Sequence, residues 1–220
     1  ALDRLSMGDW LNQRGLNSPR LRWLVDYACR DDYGMTSDQT SAWAGLFYFC
    51  SRIAKQETDS QPLITWPEGN GRLVNHLLQT ASTKVQLNRA AAEIIPVEEN
   101  GRSRIDVVTL DQEGRNPLGY RAQKVIFAAP QFVARYVIRP YRENPPAHIA
   151  EFEFGSWMVA NLTLRDRPKQ TSSRDFPLAW DNVLYESPSL GYVVATHQRS
   201  LDQGPTVFTY YYPLCEENPR

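Results

Sequence analysis

The chain has 220 residues, of which 42% are hydrophobic and 22% are charged, a globular composition that excludes collagen-like, coiled-coil and largely disordered proteins. Its 24 Lys and Arg residues nearly balance 25 Asp and Glu residues, and a net charge of -1 favours neither nucleic acid nor an anionic membrane as a partner. No apolar run reaches the ~18 residues of a membrane span and no secretory signal pattern is present, so we expect a cytoplasmic protein.

The first 60 residues are predicted to be mainly helical. Ser6 can cap a helix over residues 7–14, where apolar residues recur on one face. A second helix is predicted to begin after Ser18, where the next residue is a proline, and to end at Gly34.

A third predicted helix has Thr36 or Ser37 as its N-cap and ends near Arg52. Its residues are apolar on nearly every side, so we expect it to be buried. The polar stretch KQETDSQP that follows is predicted to be a connecting loop.

A Gly-rich turn is predicted between a short strand, PLITW, and an amphipathic helix within PEGNGRLVNHLLQT. Gly69 and Gly71 permit positive φ and allow another backbone or a ligand to approach closely. Only the first two glycines of the G-x-G-x-x-G dinucleotide fingerprint are present, so a plain tight turn remains the alternative to a ligand contact.

Residues 84–129 change to the two-residue period of strands. The predicted strands are VQL, AAAEIIPV, RIDVVTL and YRAQKVIFAA, and the middle two are expected to form a β-hairpin. A short helix is predicted from Pro130 to Ile138, and NPPAH is a break before another short helix.

The last part of the chain is predicted to be a sheet. Its four strand candidates are SWMVANLTL, LAWDNVLYE, LGYVVATHQ and TVFTYYYP. Helices followed by two sheet-forming regions indicate an α+β fold, with N-terminal helices and a mixed or antiparallel sheet.

No metal site or catalytic residue is indicated by spacing. The three histidines and three cysteines lie far apart without metal-ligand spacing, so we predict no metal ion. Four aspartates that we considered as acids or bases have no His or nucleophile nearby in sequence: Asp31, Asp32, Asp175 and Asp181.

Three segments in order over residues 64–138 are ITWPEGNGRLVNHLL, VQLNRAAAEIIPV and YRAQKVIFAAPQFVARYVI. With this order and spacing the sequence resembles the flavin-containing amine oxidase superfamily, which includes monoamine oxidases and protoporphyrinogen oxidases. In that family a Gly-rich turn precedes a helix, a strand contacts the adenine end of the flavin nucleotide, and an A-x-K-V-I-x-A-x-P strand returns toward the cofactor.

The resemblance implies FAD as the cofactor of the full-length parent. It implies cofactor contacts at the Gly-rich turn, at the backbone of one strand residue and at the end of the returning strand. The matching residues are Gly69, Gly71, Ala91, Ala129 and Pro130.

The resemblance also implies a domain organisation. Residues 1–60 would be the helical part of a substrate domain, 61–138 a partial FAD-binding domain and 139–220 the antiparallel sheet of the substrate domain. The family's N-terminal fingerprint and C-terminal flavin segment have no counterpart in these 220 residues. We therefore expect an interior fragment that is inactive alone and that self-associates through exposed sheet edges.

The strand SWMVANLTL resembles the family strand that in many amine oxidases carries a lysine reaching the flavin through water. Val159 or Ala160 stands at that position here, and neither side chain can transfer a proton. The resemblance therefore implies an FAD-dependent oxidoreductase without the lysine-dependent mechanism of amine oxidation.

A small-molecule substrate is expected to bind in an apolar, aromatic-lined cavity of this oxidoreductase. The candidate substrate contacts, for each of which core packing is the alternative, are Trp157, Trp180, Tyr185 and Tyr211. The alternative function is a non-enzymatic binding module for a hydrophobic ligand or a partner protein.

Overall fold

The computed structural model describes residues 2–53, 65–81, 84–152, 154–169, 178–199 and 203–215. It has the α+β fold that the sequence predicts, with helices and two antiparallel sheets. The chain divides into two compact units, one formed by Ala1–Leu77 with Phe154–Arg220 and the other by Leu78–Glu153. The predicted strand PLITW begins outside the described residues, and its last two residues, Thr65 and Trp66, are not in a strand.

The first unit contains the N-terminal helices, and local capping signals explain where they begin and end. The Ser6 hydroxyl accepts a hydrogen bond from the Asp9 N–H at 3.0 Å, as an N-cap should. Gly34 ends the second helix in the left-handed conformation, with φ of 66°. The helices that begin in this part are α1 (Met7–Gln13), α2 (Pro19–Tyr33), α3 (Ala42–Cys50) and α4 (Gly71–Thr80), whose last three residues belong to the second unit.

The predicted cap and burial of α3 are both wrong. Its N-cap is Ser41, whose hydroxyl accepts from the Ala44 N–H at 3.2 Å, because Thr36 instead hydrogen-bonds Gln39 within the preceding turn. Trp43 and Phe47 are more than half exposed and stack on each other with ring centroids 5.4 Å apart. Only one face of α3 meets the core, so its outer aromatic residues pack together at i and i+4.

The core of this unit lies among the helices. Its residues on α1 and α2 recur at the helical spacing that the sequence pattern predicts. Partly buried Trp10, Leu21, Leu46 and Phe49 surround it. Its buried residues are Met7, Leu11, Val25 and Cys29.

A four-stranded antiparallel sheet completes the first unit, in the order β4-β7-β6-β5. Its strands are β4 (Ser156–Leu164), β5 (Asp181–Asn182), β6 (Tyr192–Val194) and β7 (Thr206–Leu214). The two long strands match the predicted SWMVANLTL and TVFTYYYP. LAWDNVLYE and LGYVVATHQ contribute only two and three strand residues, because turns at 185–186 and 195–196 interrupt them.

The second unit is a three-stranded antiparallel sheet with short helices. Asn100 and Gly101, with φ of 52° and 70°, form a two-residue turn between the first two strands, which confirms the predicted hairpin. Ile94, Ala134 and Ile149 are its buried apolar residues. Its elements are β1 (Ala90–Glu99), β2 (Arg102–Leu110), β3 (Leu118–Ala122), α5 (Gln131–Val137), α6 (Arg139–Glu143) and α7 (Ala147–Ala150).

Two strand predictions in this region are wrong. VQL is not in a strand, and within YRAQKVIFAA the strand stops at Ala122. Ile126, in the segment that follows, is 92% exposed. In the described part of the chain no neighbouring strand pairs with residues 124–129, so an apolar run with high strand propensity stays outside the sheet.

Candidate functional site

The register of β4 and β7 brings two predicted substrate residues onto one face of the four-stranded sheet. Trp157 lies opposite Pro213 and Val159 lies opposite Tyr211. Opposite residues of an antiparallel pair share a face, and so do residues two apart on one strand. We call the face that carries Trp157, Val159 and Tyr211 the Tyr211 face.

The Tyr211 face contains the first of the two positions considered for the missing lysine. Val159 is 50% exposed and lies directly across from Tyr211. Ala160, the second position, pairs with Tyr210 and therefore belongs to the opposite face. The face thus combines an apolar side chain and an aromatic ring and carries no acid or base at this point.

Trp157 has a packing contact at the edge of this face. A Cβ at position 34 would lie 2.7 Å from Trp157 Nε1, so the indole rests directly on Gly34 at the end of α2. This contact joins β4 to the helical part of the same unit. Trp157 as a substrate contact stays a prediction.

The opposite face of the sheet carries the other aromatic residues of β7. The rings of Tyr192 and Phe208 stack with centroids 4.5 Å apart. Tyr210 and Tyr212 follow Phe208 at two-residue intervals. Tyr211 is therefore separated by the sheet from its neighbours in the sequence, as the alternation of a strand predicts.

A cleft of about 440 Å³ lies between α2 and the end of β7, and it was not predicted. It includes Trp23, Arg30 and Tyr212, which sequence spacing does not connect. Its other lining residues are Asp26, Thr36, Glu186, Ser187, Pro188, Pro213, Leu214 and Cys215.

A partly buried ion pair forms one wall of this cleft. Arg30 is only 8% exposed, lies 2.8 Å from the Asp26 carboxylate and donates to the Pro188 carbonyl oxygen at 2.6 Å. Asp26 also accepts from the N–H and hydroxyl of Ser37 at 2.9 and 3.1 Å. The two charges thus pair within the chain, and the Arg30 hydrogen bond to Pro188 fixes α2 to the segment before β6.

The remaining two predicted substrate residues lie near β5. Tyr185 packs against Trp23 with ring centroids 4.8 Å apart, next to the cleft. Trp180 is half-buried, and its carbonyl oxygen accepts from the Val194 N–H at 2.8 Å. Neither residue belongs to β4 or β7, so the pairing of those strands brings only Trp157 and Tyr211 together.

Titratable groups from α2 and β5 interact electrostatically in the first unit. Burial raises the pKa of the Tyr27 phenol, and the Asp181 and Asp31 carboxylates raise it further. Burial also raises the pKa of Asp31, with additional contributions from Asp32 and Asp181. Sequence spacing gives no partner for Asp31 or Asp181. In the folded chain the two carboxylates are close enough for the charge of Asp181 to raise the pKa of Asp31. Asp175 lies outside the described residues.

The Asp181→Asn variant tests this electrostatic cluster. Although Asp181 lies at the surface, partial desolvation by the surrounding atoms raises the pKa of its carboxyl group. The folded chain therefore binds more protons than the unfolded chain just above pH ~4 and loses stability as pH rises through that window. Removing the carboxylate is expected to flatten this pH dependence and to move the pKa of Tyr27 down toward its ordinary value. NMR titration of ring-labelled tyrosine measures the change in the pKa of Tyr27.

The matched control is Asp3→Asn, which removes an exposed carboxylate elsewhere in the same unit. It is expected to leave the Tyr27 titration unchanged. An unchanged Tyr27 titration in Asp181→Asn would show that the two groups do not interact.

The Gly-rich turn in the first unit is open to an approaching group. Gly69 has φ of 59°, in the left-handed region, and a Cβ added at either Gly69 or Gly71 would meet no atom within 4 Å. Crowding within the described residues therefore does not explain these glycines. Gly71 begins α4, whose apolar residues are exposed, with Leu77 63% exposed.

The other predicted cofactor contacts belong to the second unit. Ala91 is exposed on β1, at the point where an irregularity shifts the register with β2. Ala129 and Pro130 are exposed immediately before α5. Their contact with a cofactor stays a prediction.

Comparisons with known proteins give no family assignment. Neither a scan against protein-family models nor a search of the curated proteins finds a match.

Among the described residues, no group of three or more His, Cys, Asp and Glu side chains is placed to hold a metal ion. None of the helices described has the length and hydrophobicity that crossing a bilayer requires.

Proposed function

We propose that this chain is the substrate-binding and partial flavin-binding portion of an FAD-dependent oxidoreductase that acts on a small, largely apolar molecule. The observation that carries the proposal is the Tyr211 face, where Trp157, Val159 and Tyr211 share one side of β4 and β7. An apolar, aromatic surface on a paired sheet is suited to orienting a carbon–hydrogen bond and excluding water.

The Gly-rich turn supports the flavin part of the proposal. Gly69 and Gly71 leave open space above the backbone, which fits the close approach of a nucleotide to main-chain atoms. The exposed apolar side of α4, and the segment around Ile126 that pairs with no described strand, fit a flavin domain whose remaining layers lie outside the described residues.

The residues of the Tyr211 face define what the chain itself would do. FAD supplies the redox chemistry when bound, by accepting a hydride from the substrate. Tyr211 would line the space that the substrate shares with the bound flavin, and it would pack against the substrate and fix its orientation. Val159 carries no proton acceptor, so deprotonation assisted by a lysine at this position is not part of the proposed reaction.

Substitution on the two faces of β7 tests this assignment in the natural protein that contains these residues, loaded with FAD. Tyr211→Leu is expected to raise flavin fluorescence, because an aromatic ring near the isoalloxazine quenches it. Tyr210→Leu is the matched control, since Tyr210 is a half-buried neighbour on the opposite face. Equal fluorescence changes in the two variants would remove the Tyr211 face from the flavin site.

A further inference from the structure

A second cleft of about 430 Å³ lies at the end of the four-stranded sheet, away from the Tyr211 face residues. It forms where β4 ends at Leu164 and β7 begins opposite it at Thr206. Its lining residues are Arg165, Asp166, Arg167, Lys169, Gln203 and Gly204.

The cleft concentrates positive charge in a chain whose net charge is -1. Among the residues that the structure describes, three cationic side chains, Arg165, Arg167 and Lys169, line it together with one carboxylate, that of Asp166. Clefts lined by one sign of charge focus the electrostatic field and attract ions of the opposite sign. The Gln203 amide adds a polar group that can donate hydrogen bonds.

The single carboxylate is held by the backbone on both sides of the cleft. Asp166 accepts from the Arg167 N–H and from the Gly204 N–H, each at 2.9 Å. Gly204 has φ of 86°, so the turn that presents its N–H requires glycine. Asp166 therefore links the two walls of the cleft by hydrogen bonds. Its carboxylate oxygen accepts these bonds from backbone N–H groups.

Two of the cations in the cleft form no ion pair within the described part of the chain, unlike several arginines elsewhere in it. Arg30, Arg52, Arg121, Arg139 and Arg142 form ion pairs with carboxylates. Across the residues that the structure describes, Arg165 and Lys169 form none. Their charges remain available to an anion that enters the cleft.

We propose that this cleft binds the phosphate group of a small organic phosphate. An arginine fork matches phosphate oxygens in a bidentate geometry, and a lysine adds a mobile point charge. The volume lies within the ~300–1,000 Å³ range of small-molecule sites, so the cleft has room for a phosphate ester or a diphosphate. This site is separate from the proposed flavin chemistry and does not depend on it.

The test is titration of the full chain with pyrophosphate at low salt, followed by calorimetry. The Arg165→Gln/Lys169→Gln variant is expected to weaken binding about tenfold or more. The matched control Lys84→Gln/Arg102→Gln removes the same charge from exposed residues outside the cleft, and a change of less than about twofold is expected.

A variant that is expected to bind more tightly shows whether weaker binding in the double variant reflects loss of the site or loss of the fold. Asp166→Asn removes the one carboxylate among the described residues that line the cleft, and it keeps an oxygen acceptor for the backbone N–H donors. It is expected to tighten pyrophosphate binding about threefold. Equal weakening in both double variants, or no tightening in Asp166→Asn, would overturn the proposal.

The source of the phosphate is distinguished in a parallel assay with phosphatidylcholine vesicles that contain phosphatidic acid. Pyrophosphate binding with no sedimentation on these vesicles supports a soluble ligand. Sedimentation on the vesicles without pyrophosphate binding would overturn the proposal and indicate a lipid headgroup instead.

Discussion

Gly34→Ala is expected to lower the free energy of unfolding by about 2–4 kcal/mol. Two costs add at this position. An alanine at φ of 66° is strained, and its Cβ would lie 2.7 Å from Trp157 Nε1, which forces the indole away from the end of α2. Urea denaturation followed by tryptophan fluorescence measures the loss.

Gly15→Ala separates the two costs. Gly15 has φ of 68°, nearly the same as Gly34, but a Cβ there would meet no atom within 4 Å. Only the backbone strain of about 1–2 kcal/mol is therefore expected. If Gly34→Ala and Gly15→Ala cost the same, the close packing of Trp157 on Gly34 is contradicted.

Arg30→Met is expected to cost about 2–3 kcal/mol of unfolding free energy. Methionine keeps the apolar stem but leaves the Asp26 carboxylate without its cation and the Pro188 carbonyl without its donor. The expected loss is below that of a fully buried pair because Asp26 keeps its two hydrogen bonds from Ser37.

Arg52→Met is the matched control for Arg30→Met. Arg52 also pairs with an aspartate, Asp32, and also donates to a backbone carbonyl, that of Tyr48, but its side chain is 43% exposed. A cost of at most about 1 kcal/mol is expected. Comparable losses in the two variants would show that burial of Arg30 contributes nothing.

Local signals in the sequence predict much of this fold. The Ser6 cap, the Gly34 stop and the Asn100-Gly101 turn each depend on a few adjacent residues, and each is observed. Predictions that depend on neighbours distant in sequence are less successful. The segment around Ile126 has the composition of a strand but no strand beside it among the described residues.

In the candidate site, too, features set by adjacent residues are predicted from the sequence and features that depend on distant residues are not. Strand alternation correctly separates Tyr211 from Tyr210 and Tyr212, because it is a property of one strand. The contact of Trp23 with Tyr185 joins residues 162 positions apart, so no spacing rule reveals it. The electrostatic interaction of Asp31 with Asp181 likewise depends on tertiary structure.

The flavin content of the natural protein that contains these residues tests the central claim most directly. The protein would be purified, desalted and examined by its visible spectrum, and any nucleotide released on denaturation would be identified by chromatography. Equimolar FAD is the predicted result. A colourless protein that takes up no FAD on titration would contradict the account and favour a binding module without redox chemistry.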